Sequence, residues 1–230
     1  SIRAAKSVPD SNFSGKYALW GHSQGGQSVI YASQLAKSYA PDIKLIASAA
    51  AAPATDLVTL LKDDIQTEIG KVLGPMALKS WSEVYPDTEL NKIIKAEAIP
   101  AANLIAEGCI ETSDSIEVLL PPTKELPKDF LLQDPTVAQP WANVIANNSA
   151  KPSGISDPIY IGQGTADNVV SPSVTLDWAR SLCNSNKNVT FKSYPGLGHN
   201  TAGFVIVNDV VPWFANIFAG QPPGGNCGSL

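Results

Sequence analysis

Residues 21–25, Gly-His-Ser-Gln-Gly, limit the possible fold more than any other feature of the chain. This Gly-x-Ser-x-Gly pattern follows an apolar run over 17–20, which predicts a buried strand. The stretch 26–39 after it has apolar residues near helical spacing, which predicts a helix. A sharp turn between strand and helix places Ser23 in a strained backbone conformation. We therefore expect both flanking glycines to be required, because a side chain at either would collide with the strand or helix.

Such a turn is the nucleophile elbow of the α/β-hydrolase fold, in which serine, acid and histidine follow in that order along the chain. The chain contains two histidines. His22 adjoins Ser23, and successive side chains diverge, so His22 is poorly placed to act as the base. His199 lies between a strand-like run over 189–194 and a helix-like stretch over 201–218. We predict that His199 is the base, in the loop after the last strand.

The acid is expected in the loop after the preceding strand. A short buried strand is predicted over 159–162, and Asp167 follows it. Asp157 lies before this strand, at the wrong end of the sheet, and Asp177 falls within a predicted helix and is expected to face solvent. Asp167 is therefore the predicted acid. A turn-forming aspartate is the alternative interpretation.

These three residues together permit acyl transfer. His199 would take the Ser23 proton and return it to the leaving alcohol, while Asp167 would orient the imidazole and stabilise its cation. The backbone N–H of Gln24 is the predicted first donor to the oxyanion. The second donor normally follows an earlier strand, and we do not expect it within this chain.

The predicted fold class is α/β: a mostly parallel sheet with flanking helices, interrupted by a helical insertion. Residues 1–16 are too few for the strands that precede the elbow in this fold, so the N-terminal half of the sheet is predicted to be missing. An open parallel edge would then be exposed. We predict hydrolase core over 1–55, a helical cap over 56–157, and core with the acid, histidine and tail over 158–230.

Within the cap, helices are predicted over 57–65, 73–84 and 87–105, the last broken by Pro100, with a further run over 136–147. Several apolar cap residues could face a substrate or form the core of the cap itself, and both interpretations stay open: Leu119, Leu120, Phe130, Leu131, Leu132, Trp141, Val144 and Ile145.

The order of elbow, long helical insertion, Gly-Thr-Ala-Asp at 164–167, Gly-His at 198–199 and a cysteine-bearing tail resembles the secretory lipase family. The resemblance covers the chain from the elbow onward. It implies a secreted carboxylic ester hydrolase that acts on lipids or other apolar esters and needs no cofactor. Transient contact with a lipid interface would accompany such substrates.

The resemblance also supports a disulfide between Cys183 and Cys227, which would attach the tail to the body of the fold. Cys109 is left over, and either it bonds to a partner in the missing N-terminal polypeptide or it is a buried free thiol. Three Asn-x-Ser/Thr triplets favour a secretory route and make Asn12, Asn147 and Asn188 candidate glycosylation sites.

Composition excludes several classes of protein. The net charge is −5 and the lysines are scattered, so nucleic acid is not an expected partner. Two histidines far apart in sequence, without acidic neighbours, do not form a metal site. We find no apolar run of the roughly 18 residues that a membrane span requires.

The same three residues serve related reactions. The only arginines are Arg3 and Arg180, which disfavours a substrate with a free carboxylate, such as a peptide. An esterase or acyltransferase acting on small or aromatic esters is the alternative enzyme. A catalytically inert binding protein is the alternative of another class, if the N-terminal half is truly absent.

Overall fold

The computed structural model describes residues 2–110 and 121–230, and it divides the chain into two compact units. The first unit comprises 1–55 and 150–230, and the second comprises 56–149. Residues 150–157, which the sequence assigns to the cap, therefore belong to the first unit. There the buried carboxylate of Asp157 accepts hydrogen bonds from the hydroxyls of Ser33 and Ser48.

The first unit contains a four-stranded sheet whose strands are all parallel and lie in the order of the chain. The strands are β1 (Lys16–His22), β2 (Lys44–Ala51), β3 (Ile159–Gly164) and β4 (Val189–Tyr194). The α-helices that lie wholly within the described residues are α1 (Gln24–Tyr39), α2 (Leu57–Asp64), α3 (Gly70–Val84), α4 (Ile99–Glu107), α5 (Trp141–Asn147), α6 (Pro172–Asn184) and α7 (His199–Phe218). Short 3-10 helices cover Ile2–Ser7, Leu90–Lys92, Ala96–Ala98 and Cys227–Ser229.

Helices cover both faces of this sheet, as parallel sheets require. Ile30 of α1 and Trp178 of α6 belong to one apolar cluster with Ile159 and Ile161 of β3. On the other face, Ile206 of α7 packs in a second cluster with the intervening β3 residue, Tyr160. The alternation along β3 thus supplies both clusters.

Close approach of α7 to the sheet depends on small residues in the central strands. The alanines of β2 at 47 and 49–51 are fully buried. At Gly162 of β3, an added Cβ would lie 2.6 Å from Cγ2 of Ile206. This contact fixes α7, and with it His199 at its first residue, against the sheet.

The edge strand β4 is covered by the tail of the chain. The side-chain amide of Asn226 pairs with Phe191 as a neighbouring strand would: the Phe191 N–H donates to Oδ1 (2.8 Å) and Nδ2 donates to the Phe191 carbonyl (2.7 Å). The Asn226 N–H donates to the Val189 carbonyl at 2.9 Å. The next residue, Cys227, forms a disulfide with Cys183 of α6.

The second unit has a core of its own, built on α3, α4 and the residues around them. Leu78, Ile105, Phe130 and Trp141 are almost fully buried within one cluster, and Leu131 packs against it. At the start of α2, the Asp56 carboxylate accepts from the N–H groups of Val58 and Thr59, which caps the helix.

The apolar cap residues fall mainly within this unit's interior. Phe130, Trp141, Val144 and Ile145 are buried, whereas Leu132 is 55% exposed. Leu119 and Leu120 lie outside the described residues. Phe130 and Trp141 therefore form part of this unit's own core, which was one of the two interpretations.

The role expected for Pro100 is wrong. This proline does not break a helix; it lies in the first turn of α4. A proline is well tolerated there, because the first N–H groups of a helix have no intrahelical acceptor and the ring presets the helical φ.

The last α-helix, α7, combines length with an apolar composition. By length and composition alone, α7 could cross a membrane: it has 20 residues and an 18-residue window of mean hydropathy 1.3, of which 17% is buried. Polar residues such as Asn208 and Asp209 interrupt its sequence, so no continuous apolar run is visible. In the fold α7 packs on the sheet through Ala202, Ile206 and Val210.

Candidate active site

The turn between β1 and α1 holds Ser23 in a rarely populated conformation, with φ 56° and ψ −122°. A positive φ is uncommon for a residue with a side chain and marks stored strain. The Ser23 N–H donates to the Ala51 carbonyl at 2.9 Å, which ties the turn to the end of β2.

Only one of the two glycines in the pattern is sterically required. A Cβ at Gly21 would lie 2.1 Å from the Gly25 carbonyl oxygen, whereas a Cβ at Gly25 would meet no described heavy atom within 4 Å beyond its immediate neighbours. The second close approach is at Gly26, where a Cβ would lie 3.0 Å from Cβ of Pro53. The collision expected at Gly25 is therefore wrong for the described structure, because an added Cβ there has open space around it.

The three predicted residues lie in one hydrogen-bonded line. Ser23 Oγ is 2.9 Å from Nε2 of His199, and Nδ1 of the same ring is 2.8 Å from Oδ2 of Asp167. His199 is the first residue of α7, so the helix begins two residues earlier than predicted. His199 and Asp167 are 8% and 7% exposed, so water has little access to either partner of this pair.

The Asp167 carboxylate is saturated with hydrogen-bond donors. Oδ1 accepts from the N–H groups of Val169 and Val170 at 2.9 and 2.8 Å, and Oδ2 accepts from Gln163 as well as His199. Burial alone would raise the pKa of Asp167, but the hydrogen bond to His199, the charge of His199 and the two amides together lower that pKa below its ordinary value.

The charge on Asp167 decides the arrangement of the imidazole protons. An ionised carboxylate only accepts, so Nδ1 of His199 donates to it. In the neutral ring, Nε2 is then the acceptor for the Ser23 hydroxyl. This is the tautomer that can remove the serine proton.

His22 is closer to this line than the sequence suggests. Its ring centroid is 4.7 Å from that of His199, and its Nε2 is buried without a hydrogen-bond partner among the described residues. An added Cβ at Gly203 of α7 would lie 3.2 Å from the His22 side chain, so Gly203 leaves room for the ring. Burial and the nearby His199 lower the pKa of His22, partly offset by a hydrogen bond to the His199 backbone and by Asp167.

The other acids and the predicted oxyanion donor lie as follows. Gln24 is the first residue of α1, where backbone N–H groups lack intrahelical acceptors. Asp157 is buried with Ser33 and Ser48, and Asp177 pairs with Arg180 on the surface. Neither acid contacts His199 in the described structure.

The remaining predicted sites are also located. Cys183 and Cys227 form a disulfide with Cα atoms 5.5 Å apart, and Cys109 is exposed, with no disulfide in the described chain. Asn12, Asn147 and Asn188 are all exposed. Across residues 2–110 and 121–230, no group of three or more histidines, cysteines or acids could hold a metal ion.

Two residues of the site were not found from the sequence. Gln163 donates to the carboxylate of Asp167, and His22 contacts the ring of His199. Gln163 lies next to glycine in a buried strand, and nothing in its type or spacing indicates the contact. His22 could have been found from its place as the last residue of β1, directly before Ser23.

The parallel sheet, its flanking helices and the elbow define the α/β-hydrolase fold. Solved structures with this fold include Candida antarctica lipase A in its closed state, with a TM-score of 0.77 and 19% identity over 99% of this chain and 54% of that one. The rice cell wall degrading esterase LipA from Xanthomonas oryzae has a TM-score of 0.73 and 18% identity over 96% of this chain and 64% of its own.

The family model for secretory lipases matches residues 1–226, and the chain therefore belongs to the secretory lipase family. Among curated relatives, Lipase 10 of Candida albicans is 24% identical over 242 residues, which is 99% of this chain and 51% of the relative. The chain thus spans about half the length of this relative.

Proposed function

We propose that this chain carries the catalytic residues of a secreted serine hydrolase, a lipase or esterase that cleaves apolar carboxylic esters. The observation that carries the proposal is the line Ser23–His199–Asp167, with distances of 2.9 and 2.8 Å at a strained turn. Membership in the secretory lipase family supports ester hydrolysis as the reaction class. Other acyl-transfer reactions could use the same three groups.

In the proposed first half-reaction, Nε2 of His199 accepts the Ser23 proton as Oγ attacks the ester carbonyl carbon. The imidazolium is stabilised by the ionised Asp167, and the Gln24 N–H donates to the tetrahedral oxyanion. Collapse of this intermediate breaks the bond to the alkoxide, which leaves as an alcohol with the proton from His199. The acyl group remains on Ser23.

The second half-reaction uses the same groups with water as nucleophile. His199 accepts a proton from water, the resulting oxygen attacks the acyl carbon, and the intermediate collapses with release of the carboxylic acid. The proton returns to Ser23 Oγ. One ester and one water thus give one alcohol and one acid, and no cofactor takes part.

Intact mass after reaction with a fluorophosphonate tests this proposal directly. We expect one adduct, on Ser23, and none in Ser23→Ala, whose ester hydrolysis should fall by about 10⁴-fold or more. Asp177→Asn is the matched control, since Asp177 is exposed and pairs only with Arg180 in the described structure. A folded protein that neither labels at Ser23 nor hydrolyses esters would refute the proposal and favour the inert binding protein.

Substrate preference separates the two enzyme candidates. A lipase hydrolyses emulsified long-chain esters faster than soluble short-chain ones. Contact with a lipid–water interface is proposed only for a lipase. A preference for small or aromatic esters would favour the esterase, the activity named for the Xanthomonas oryzae neighbour.

Secretion is proposed on the family description, the disulfide and the exposed candidate glycosylation sites. The mass of native material, before and after enzymatic deglycosylation, tests Asn12, Asn147 and Asn188. The same measurement with and without reductant tests whether exposed Cys109 bonds to a second polypeptide.

A further inference from the structure

A buried polar pair, Gln163 of β3 and Thr175 of α6, contacts the carboxylate of Asp167 in the proposed active site. Gln163 is 1% exposed and Thr175 of α6 is fully buried. The Thr175 hydroxyl donates to Oε1 of Gln163 at 2.7 Å, and Nε2 of Gln163 donates to Oδ2 of Asp167 at 3.1 Å. The same oxygen accepts from His199.

The surroundings of Gln163 fix the orientation of its amide. On the Nε2 side lie three oxygens: Oδ2 of Asp167, the carbonyl of Gly164 at 3.1 Å and the carbonyl of Val170 at 3.3 Å. On the Oε1 side lies the hydroxyl donor of Thr175. A flipped amide would place its oxygen against three acceptors, so only one orientation satisfies every group.

We propose that Gln163, held by Thr175, is a positioning residue that orients Asp167 toward His199 and limits the negative charge on the shared oxygen. This inference rests on the proposed function of the Ser23–His199–Asp167 line. The two residues touch no substrate and act through Asp167.

The consequence for the reaction follows from the partial positive charge of the Gln163 N–H. Without its N–H, Oδ2 of Asp167 carries more negative potential and holds the protonated His199 more strongly. The hydrogen bond from Nδ1 of His199 to this oxygen then changes in strength, and the NMR resonance of the bridging proton reports that change. The Asp167 carboxylate also loses the contact with Gln163 that holds its orientation, and we expect kcat to fall because His199 is then less precisely oriented.

Thr175 offers a matched pair of substitutions. Thr175→Val keeps the shape of the side chain and removes the hydroxyl, whereas Thr175→Ser keeps the hydroxyl and removes a methyl group. With a soluble short-chain ester, we expect the valine variant to lose about fivefold in kcat at nearly constant KM, the scale of one neutral hydrogen bond. We expect the serine variant to keep the wild-type kcat and KM.

Gln163→Met supplies the second comparison, because it removes the amide at similar length. Its loss in kcat should be larger, about tenfold or more, since the hydrogen bond to a charged carboxylate is lost. Adding Thr175→Val to this variant should change kcat no further, because Thr175 acts only through Gln163.

A second readout does not require activity. The proton between Nδ1 of His199 and Asp167 gives a low-field NMR resonance, and we expect its position to move in Thr175→Val but not in Thr175→Ser. Equal losses of kcat in both Thr175 variants, or an unmoved resonance in Thr175→Val, would overturn the inference and leave a packing role. If the whole natural protein fails to hydrolyse esters, the proposed function fails, and the resonance alone still decides the inference.

Discussion

At the scale of single residues, the elbow is held by contacts that differ between its two glycines. The Gly21 Cα faces the Gly25 carbonyl, where a Cβ would approach to 2.1 Å, while Gly25 itself opens onto free space in the described structure. The positive φ of Ser23 can persist only while the surrounding backbone keeps this close approach. The pattern Gly-x-Ser-x-Gly thus contains one essential glycine and one tolerant one here.

Gly21→Ala and Gly25→Ala should therefore behave differently. We expect Gly21→Ala to displace the turn, with loss of fluorophosphonate labelling at Ser23. Gly25→Ala should label normally and gain up to about 1 kcal/mol in free energy of unfolding from the better helix propensity of alanine. Labelling rates and urea unfolding measure both, and equal damage in the two variants would contradict the steric difference.

His22 predicts a pH dependence of stability. Burial and the adjacent His199 lower its pKa in the folded state, so the unfolded chain binds a proton more readily. The free energy of unfolding should thus fall as the pH drops below about 6.5, the ordinary histidine value. The lowered pKa of Asp167 acts in a separate window, because stability from that carboxylate is lost only below about pH 3.9.

Urea unfolding at pH 8 and pH 5 measures the effect of His22. We expect His22→Gln to reduce the difference between the two values relative to wild type. An unchanged difference would show that His22 does not titrate in this range.

At the scale of elements, the strands and the main helices could be predicted because their apolar patterns are local. The run over 189–194 became β4 with the predicted bounds. Positions that depend on tertiary contacts could not be predicted. The amide of Gln163 contacts Asp167 because the backbone turns after β3. Asn226, near the end of the chain, pairs with β4. The hydrogen-bonded line of Ser23, His199 and Asp167 could be predicted because chain order and two histidines leave few choices.

The pairing of the tail with β4 gives the disulfide a measurable role. The Cys183–Cys227 bond closes a loop with a sequence separation of 44, so the double serine variant should lose about 4 kcal/mol in free energy of unfolding. Hydrogen exchange at the Phe191 amide, which donates to Asn226, should accelerate. Cys109→Ser is the control, since that thiol is exposed and unpaired among described residues, and it should change neither quantity.

At the scale of the whole molecule, the two compact units have separate apolar cores. Phe130 is fully buried in the core of the second unit, residues 56–149, whereas the first unit is built around its sheet. Separate cores allow separate local unfolding reactions.

Phe130→Ala should destabilise the second unit by about 3–5 kcal/mol, because it removes a buried ring and leaves a cavity. We expect faster hydrogen exchange within 56–149 and little change in β1–β4. Leu132→Ala is the matched control, since Leu132 is 55% exposed and should have little effect. Equal loss of protection in both units would show that the chain unfolds as one cooperative body.

The two histidines of the chain, His22 and His199, meet in a single contact 4.7 Å between ring centroids. Acylation of an imidazole on this chain would therefore report on this one region. If the proposed ester hydrolysis is lost as these imidazoles react, that loss would place the reaction at this contact. Protection by a bound ester analogue would report occupancy of the site without any engineered label.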